Sequence, residues 1–169
     1  MKVLPLVSNI FQICYVTADL DAGMRQLATM HGIERFRVKR DVESLDGMPS
    51  MRMHQAHVYV GEMQIELIQP ADGDDALYRD VCAADGPSLR FHHYGLWVDD
   101  LAEFEGLMPT LADQNVPVAF SSSIPNVGGV IYADTRALLG HYLEYVHLMP
   151  VAKRAYYADV PKYGSGAAR

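Results

Sequence analysis

Four residues able to donate to a metal stand at matched places in two halves of the chain: Gln12 and Glu66, then His93 and Glu144. Gln12 opens the run Gln12-Ile13-Cys14-Tyr15-Val16-Thr17-Ala18-Asp19-Leu20, and His93 opens His93-Tyr94-Gly95-Leu96-Trp97-Val98-Asp99-Asp100-Leu101. In both runs an Asp-Leu follows the donor at seven positions. The acids sit inside apolar triplets, Ile65-Glu66-Leu67 and Leu143-Glu144-Tyr145, 54 positions after Gln12 and 51 after His93. A carboxylate buried without a partner is costly. An imidazole, an amide oxygen and two carboxylates converging on a divalent cation balance that cost. Either acid alone reads equally well as facing solvent from an amphipathic strand. That reading leaves unexplained why both copies carry the acid shortly before a proline, Pro70 and Pro150.

A duplicated unit fixes the architecture that must position these donors. Ile10 to Thr17 is rich in β-branched and aromatic residues and reads as a strand with Gln12, Cys14 and Val16 on one face. Asp19 caps the helix that follows, on which Leu20, Met24, Leu27 and His31 recur at helical spacing before a stop at Gly32. Residues 34–44, 51–61 and 63–69 read as strands, with turns at Asp46-Gly47 and Gly61-Glu62. The polar connector 71–90 carries a short helix-like piece around Ala76 to Val81. The second copy has a strand from Phe91 to Val98 and a helix bearing Leu101, Phe104, Leu107, Met108 and Leu111. Pro109 kinks or restarts that helix. Strands at 116–122, 129–133 and 141–148 complete it, with Ser121 to Ser123 and Asn126 to Gly129 as loops. The expected fold class is therefore α+β, built from two βαβββ modules at 8–70 and 91–149. A tail over 150–169 carries Tyr156, Tyr157 and Tyr163, able to pack on the body or on a partner subunit, and ends in disorder.

Other polar residues read more blandly. His92 points to the strand face opposite His93, where packing is the expected role. His54 and His57 are three apart on a strand and cannot share a face, so at most one reaches the site. His141 and His147 read as strand-end residues. Trp97 falls on the face of His93 and either walls the same cleft or packs in the core. Nothing near Cys14 argues for a reactive thiolate.

The formal net charge of -7 argues against a nucleic-acid partner. The cluster Arg35, Arg37, Lys39 and Arg40 is flanked by Glu34, Asp41 and Glu43, and reads as a solvated strand edge rather than an anion pocket. Two cysteines make no disulfide framework and suit a reducing compartment. The apolar run after Met1-Lys2 is too short for a signal peptide, and no stretch approaches the roughly 20 apolar residues of a membrane span. The expectation is a cytoplasmic protein with a small-molecule substrate and no membrane partner.

Paired modules with a strand leading to Asp-Leu, and an acid in each last strand, resemble the vicinal oxygen chelate superfamily over roughly residues 8 to 149. That superfamily includes glyoxalase I, methylmalonyl-CoA epimerase, extradiol dioxygenases and bleomycin-resistance proteins. The resemblance implies a curved, incomplete barrel around a metal cleft, with Gln12, Glu66, His93 and Glu144 as ligands. It also implies a homodimer. The set is most similar to the glutamine-containing form of glyoxalase I; methylmalonyl-CoA epimerases usually carry histidine and glutamine where Gln12 and Glu66 stand. An arginine that helps bind glutathione is expected four positions after the first ligand, where this chain has Val16.

Such oxygen and nitrogen donors suit Zn, Ni, Co, Mn or Mg. The implied activity is that of a metal-dependent lyase or isomerase/epimerase stabilising an enolate or enediolate beside a carbonyl, with Glu144 or Glu66 moving the proton. The alternatives are an extradiol-type dioxygenase, which Gln12 disfavours, and a metal-free binding or resistance protein on the same fold.

Overall fold

The computed structural model describes residues 10–43, 51–73, 76–82 and 88–164. The expected turn at Asp46-Gly47 and the end of the tail lie outside them. The described residues fall into two compact units, one of 12–92 with 159–164 and one of 10–11 with 93–158. The α+β class and the two βαβββ repeats hold.

In the first unit β1 (Ile10–Val16) leads into α1 (Leu20–His31), then β2 (Arg37–Glu43), β3 (Met51–Val60) and β4 (Met63–Gly73). The sheet order is β2-β3-β4-β1, with β1 parallel to β4 and the other pairs antiparallel. Asp19 caps α1 by accepting from the Ala22 N–H at 2.9 Å, and Gly32 closes it in the left-handed region at φ 66°. Leu20, Leu27 and Ile33 pack with Ala56, Val58 and Leu67 into a core between α1 and one sheet face. The strand expected from Glu34 starts later because the N–H groups of Glu34 and Arg35 donate to the Tyr163 hydroxyl, at 3.1 and 2.8 Å.

A second core lies on the other face, where Cys14, Val16, Met53 and Ile68 are covered by Tyr78 from α2 (Ala76–Arg79). His92 belongs to this cover. Its Nε2 donates to the Leu77 carbonyl at 2.8 Å and its ring lies 4.9 Å from that of Tyr78, so packing is its role, as expected.

In the second unit β5 (Arg90–Trp97), β6 (Val118–Ile124), β7 (Gly128–Ala133) and β8 (Tyr142–Leu148) form the order β5-β8-β7-β6, with β5 parallel to β8. The expected helix breaks at Gly106 into α3 (Leu101–Glu105) and α4 (Leu107–Asp113). Pro109 sits in the first turn of α4, where a missing N–H costs no internal bond, so it restarts the helix rather than kinking it. Phe104, Leu107 and Leu111 pack on Leu96, Ile131, Leu143 and Tyr145.

One expectation needs correction. Ser121, Ser122 and Ser123 are not a loop but part of β6, an edge strand whose alternating burial tolerates hydroxyls. A short α5 (Arg136–Leu139), closed by Gly140 at φ 80°, intervenes before β8. In the described part of the tail, α6 (Pro150–Tyr157) starts on a proline, and β9 (Lys162–Tyr163) pairs with Tyr59 and Val60 of β3. No helix among the described residues is long and apolar enough to cross a membrane.

Candidate metal centre

Two ladders of the first unit set its half of the donors. Along β1–β4, Gln12 stands opposite Gln64 and Cys14 opposite Glu66. Along β3–β4, His57 stands opposite Glu66 and Tyr59 opposite Gln64. Strand alternation puts all six side chains on the sheet face away from α1. His57 and Gln64 are fully buried, and Gln12 and Glu66 nearly so.

The Glu66 carboxylate is not left unpaired in this interior. His57 Nε2 lies 2.9 Å from Glu66 Oε1 and fixes that carboxylate's orientation. Gln12 Nε2 donates to Gln64 Oε1 at 2.6 Å. That bond leaves Gln12 Oε1 buried with no hydrogen-bond partner among the described residues. Such an acceptor costs about 1–3 kcal/mol unless something electropositive meets it. Burial pushes the Tyr59 hydroxyl up, offset in part by a hydrogen bond from Gln64 and by the Arg37 charge. Cys14 Sγ lies within 4.8 Å of a Glu66 carboxylate oxygen.

The second unit supplies the other half in the same way. His93, on β5, and Glu144, on β8, are brought together by the parallel ladder in which His93 pairs with Tyr142 and Gly95 with Glu144. His93 is fully buried, and its Nε2 lies 3.1 Å from Glu144 Oε2. Two donors about 2.1 Å from one cation, at tetrahedral or octahedral angles, stand about 3.0–3.4 Å apart. The Tyr132 ring meets the His93 ring edge-on, with centroids 5.2 Å apart, and holds it in place. Each half-site taken by itself offers donors that suit a divalent cation: a buried amide oxygen and an oriented carboxylate in the first unit, and an imidazole beside a carboxylate in the second.

Residues 11–132 match the sequence profile of the Glyoxalase/Bleomycin resistance protein/Dioxygenase superfamily. The chain belongs to that superfamily. No curated protein matches it by sequence. Among solved structures, it is similar to the methylmalonyl-CoA epimerase of Mycobacterium tuberculosis at 17% identity and a TM-score of 0.59, over 90% of this chain and 96% of that one. A methylmalonyl-CoA epimerase in complex with methylmalonyl-CoA and NH4+ gives the same identity and TM-score, over 85% and 96%. So does a variant of the Streptomyces coelicolor epimerase in complex with 2-nitronate-propionyl-CoA, again over 85% and 96%. At these identities the likeness speaks for the fold.

Sequence reasoning left two members of the first half-site open or unseen. His57 was one of a pair that could not share a face, and it is the one beside Glu66; His54 instead accepts through Nδ1 from the Asp41 N–H at 3.0 Å. Gln64 was not singled out, though it holds the Gln12 amide. Both follow from the turn at Gly61-Glu62, which sets pairs outward from Val60 and Met63. Trp97 is less a bare wall than part of an aromatic cluster: it stacks on Phe11 at 4.1 Å, and Tyr157 meets it edge-on. Lys153 Nζ sits 3.9 Å from the Trp97 ring centroid and 2.8 Å from Asp99 Oδ1. Lys39 and Arg40 lie exposed on β2, outermost in its sheet, where Arg40 pairs with Asp21 at 2.6 Å, whereas the Arg37 guanidinium is buried and its charge acts on Tyr59.

Proposed function

We propose that the protein is a metal-dependent isomerase or epimerase of the glyoxalase type, moving a proton on the carbon beside a thioester or ketone carbonyl. Gln12, Glu66, His93 and Glu144 hold a divalent cation, with Zn, Ni, Co, Mn and Mg all compatible with the donors. The observation that carries the reading is the buried Gln12 Oε1, which has no hydrogen-bond partner among the described residues. When bound, the cation supplies Lewis acidity toward the substrate's carbonyl oxygen and lowers the cost of an enolate.

The two carboxylates differ in freedom, and that difference divides their roles. Glu66 is held by His57, and its side chain is 5% exposed. Glu144 is the more exposed of the two, at 14%. Glu144 is therefore the residue that takes the α-proton and returns it, and Glu66 the fixed ligand. His93, packed under Tyr132, keeps its ring nitrogen in one direction through the cycle. With valine rather than arginine at position 16, the substrate class we favour carries a bulky apolar or CoA-linked carbonyl group rather than glutathione. The solved relatives in complex with methylmalonyl-CoA and 2-nitronate-propionyl-CoA agree with that class.

A ring-cleaving iron enzyme needs a second histidine ligand. The candidate in the first unit, His57, already donates through Nε2 to Glu66. A metal-free binding protein would have no use for a buried, unpartnered amide oxygen. Deuterium incorporation from D2O into methylmalonyl-CoA and propionyl-CoA by metal-loaded protein, followed by NMR, tests the reading. Enzyme-dependent exchange at the α-carbon is expected. No exchange with any acyl-CoA or α-hydroxyketone, on protein shown to hold metal, would contradict it.

A further inference from the structure

Side chains alternate along β8, so Leu143, Tyr145 and His147 face α3 and α4 while Glu144 faces the other way. At the end of that helix-covered face lies a cleft of about 380 Å³. Leu101, Phe104 and Met108 wall it from the helices, Ile124 and Ile131 from the β6–β7 hairpin, and His147 lines it from β8. The size falls within the usual range for small-molecule pockets, near its lower end. Gly129 allows the close packing that shapes it, since a side chain there would stand 2.8 Å from the Phe104 ring.

His147 gives the cleft its chemistry. The residue is 4% exposed, and its Nδ1 lies 2.8 Å from the Val98 carbonyl oxygen. A carbonyl only accepts, so Nδ1 carries the proton and Nε2 of the neutral ring is an acceptor. Nε2 is buried and meets no hydrogen-bond partner among the described residues. His147 lies near the end of β8, as expected, but is buried and takes no part in the metal half-sites. The charge around it narrows the ligand further. Glu105 is at the cleft, and among the described residues no lysine or arginine lines it, which disfavours an anion.

We propose that this cleft binds a small, uncharged apolar molecule of one or two rings that donates a hydrogen bond from a hydroxyl or N–H to His147 Nε2. The site is independent of the metal centre and would stand if the enzymatic reading fell.

The test follows 15N-labelled histidine ring resonances of the native protein while 2-naphthol or its ether, 2-methoxynaphthalene, is added. The ether keeps the ring system and lacks the donor. Saturable binding of 2-naphthol that moves the His147 Nε2 signal, with the ether at least ten-fold weaker, is expected. His147→Asn keeps an N–H for the Val98 carbonyl and removes the ring acceptor at the Nε2 position, its own shorter side-chain oxygen standing back toward the strand, so it should bind both probes alike and weakly. Aniline beside N,N-dimethylaniline repeats the comparison for an N–H donor. Equal affinity for the donor and ether probes on the native protein would overturn the proposal. So would saturation that moves only His57 or His93, no saturable binding at all, or sedimentation showing a dimer that Met108→Glu dissociates, since a second copy would then fill the cleft.

Discussion

His57 and Glu66 face each other across the β3–β4 hairpin, with Nε2 and Oε1 at 2.9 Å and both side chains almost wholly buried. The imidazole orients the carboxylate and relieves it of an unpaired charge in an apolar wall. His57→Ala should lower divalent metal affinity by about 10–100-fold, the usual cost of removing such a supporting partner. Competition titration against a chromophoric chelator checks this, and an unchanged affinity would contradict it.

Glu144 and Glu66 should separate in their variants. Glu144→Gln keeps a ligand oxygen and loses the base, so metal should remain bound while α-proton exchange falls by about 10²–10⁴-fold. Glu66→Gln should reduce metal content first, because the fixed ligand loses its charge and its contact with His57 is no longer charge-assisted. Metal analysis and exchange rates on the two variants side by side would show whether the roles are assigned correctly.

Tyr145 is a buried hydroxyl without a hydrogen-bond partner among the described residues. Tyr145→Phe removes a group that costs about 1–3 kcal/mol to bury unsatisfied, so stability at neutral pH should be unchanged or higher. Burial pushes its ionisation up to about 12 from 10.0. With the folded value raised, the unfolded chain loses its proton first as pH rises through that window. The native form then binds more protons, and stability falls with rising pH by up to about 1.4 kcal/mol per unit. Urea melts at pH 7 and above pH 10 should show a shallower alkaline loss in Tyr145→Phe. A clear destabilisation at pH 7 would contradict the account.

Val16 is fully buried among Met53, Ile68 and Tyr78, where glutathione-dependent relatives are expected to carry arginine. A glutathione carboxylate would find no charge-assisted partner at that position. The glutathione hemithioacetal of methylglyoxal should therefore be a poor substrate. Steady-state assays giving kcat/KM above about 10⁴ M⁻¹s⁻¹ would count against this.

The repeat was legible because its signals are local: Asp19 and Asp100 cap helices by accepting from Ala22 and Glu103, and Gly61 and Glu62 close a tight hairpin. The placement of His57 was also within reach, since a two-residue turn dictates which residues face each other. What escaped depends on tertiary context. Ser121 to Ser123 look like a loop by composition, but an edge strand accepts hydroxyls on its open side. Helix α6 is only eight residues with no side-chain cap, and the packing of Tyr157 on Phe11 and Trp97 supports it more than its own propensity. His147 does lie near the end of β8, but nothing in its neighbours along the chain announces its contact with the Val98 carbonyl, 49 positions away.

The central claim is a divalent cation held by Gln12, Glu66, His93 and Glu144. Metal content by plasma mass spectrometry, on protein purified without chelators and then loaded and desalted, tests it most directly when the native chain is compared with His93→Ala. The account predicts about one divalent ion per chain in the native protein, and only a small fraction of that in a variant whose circular dichroism is unchanged. Full occupancy in His93→Ala, or no metal retained by the native chain, would contradict it.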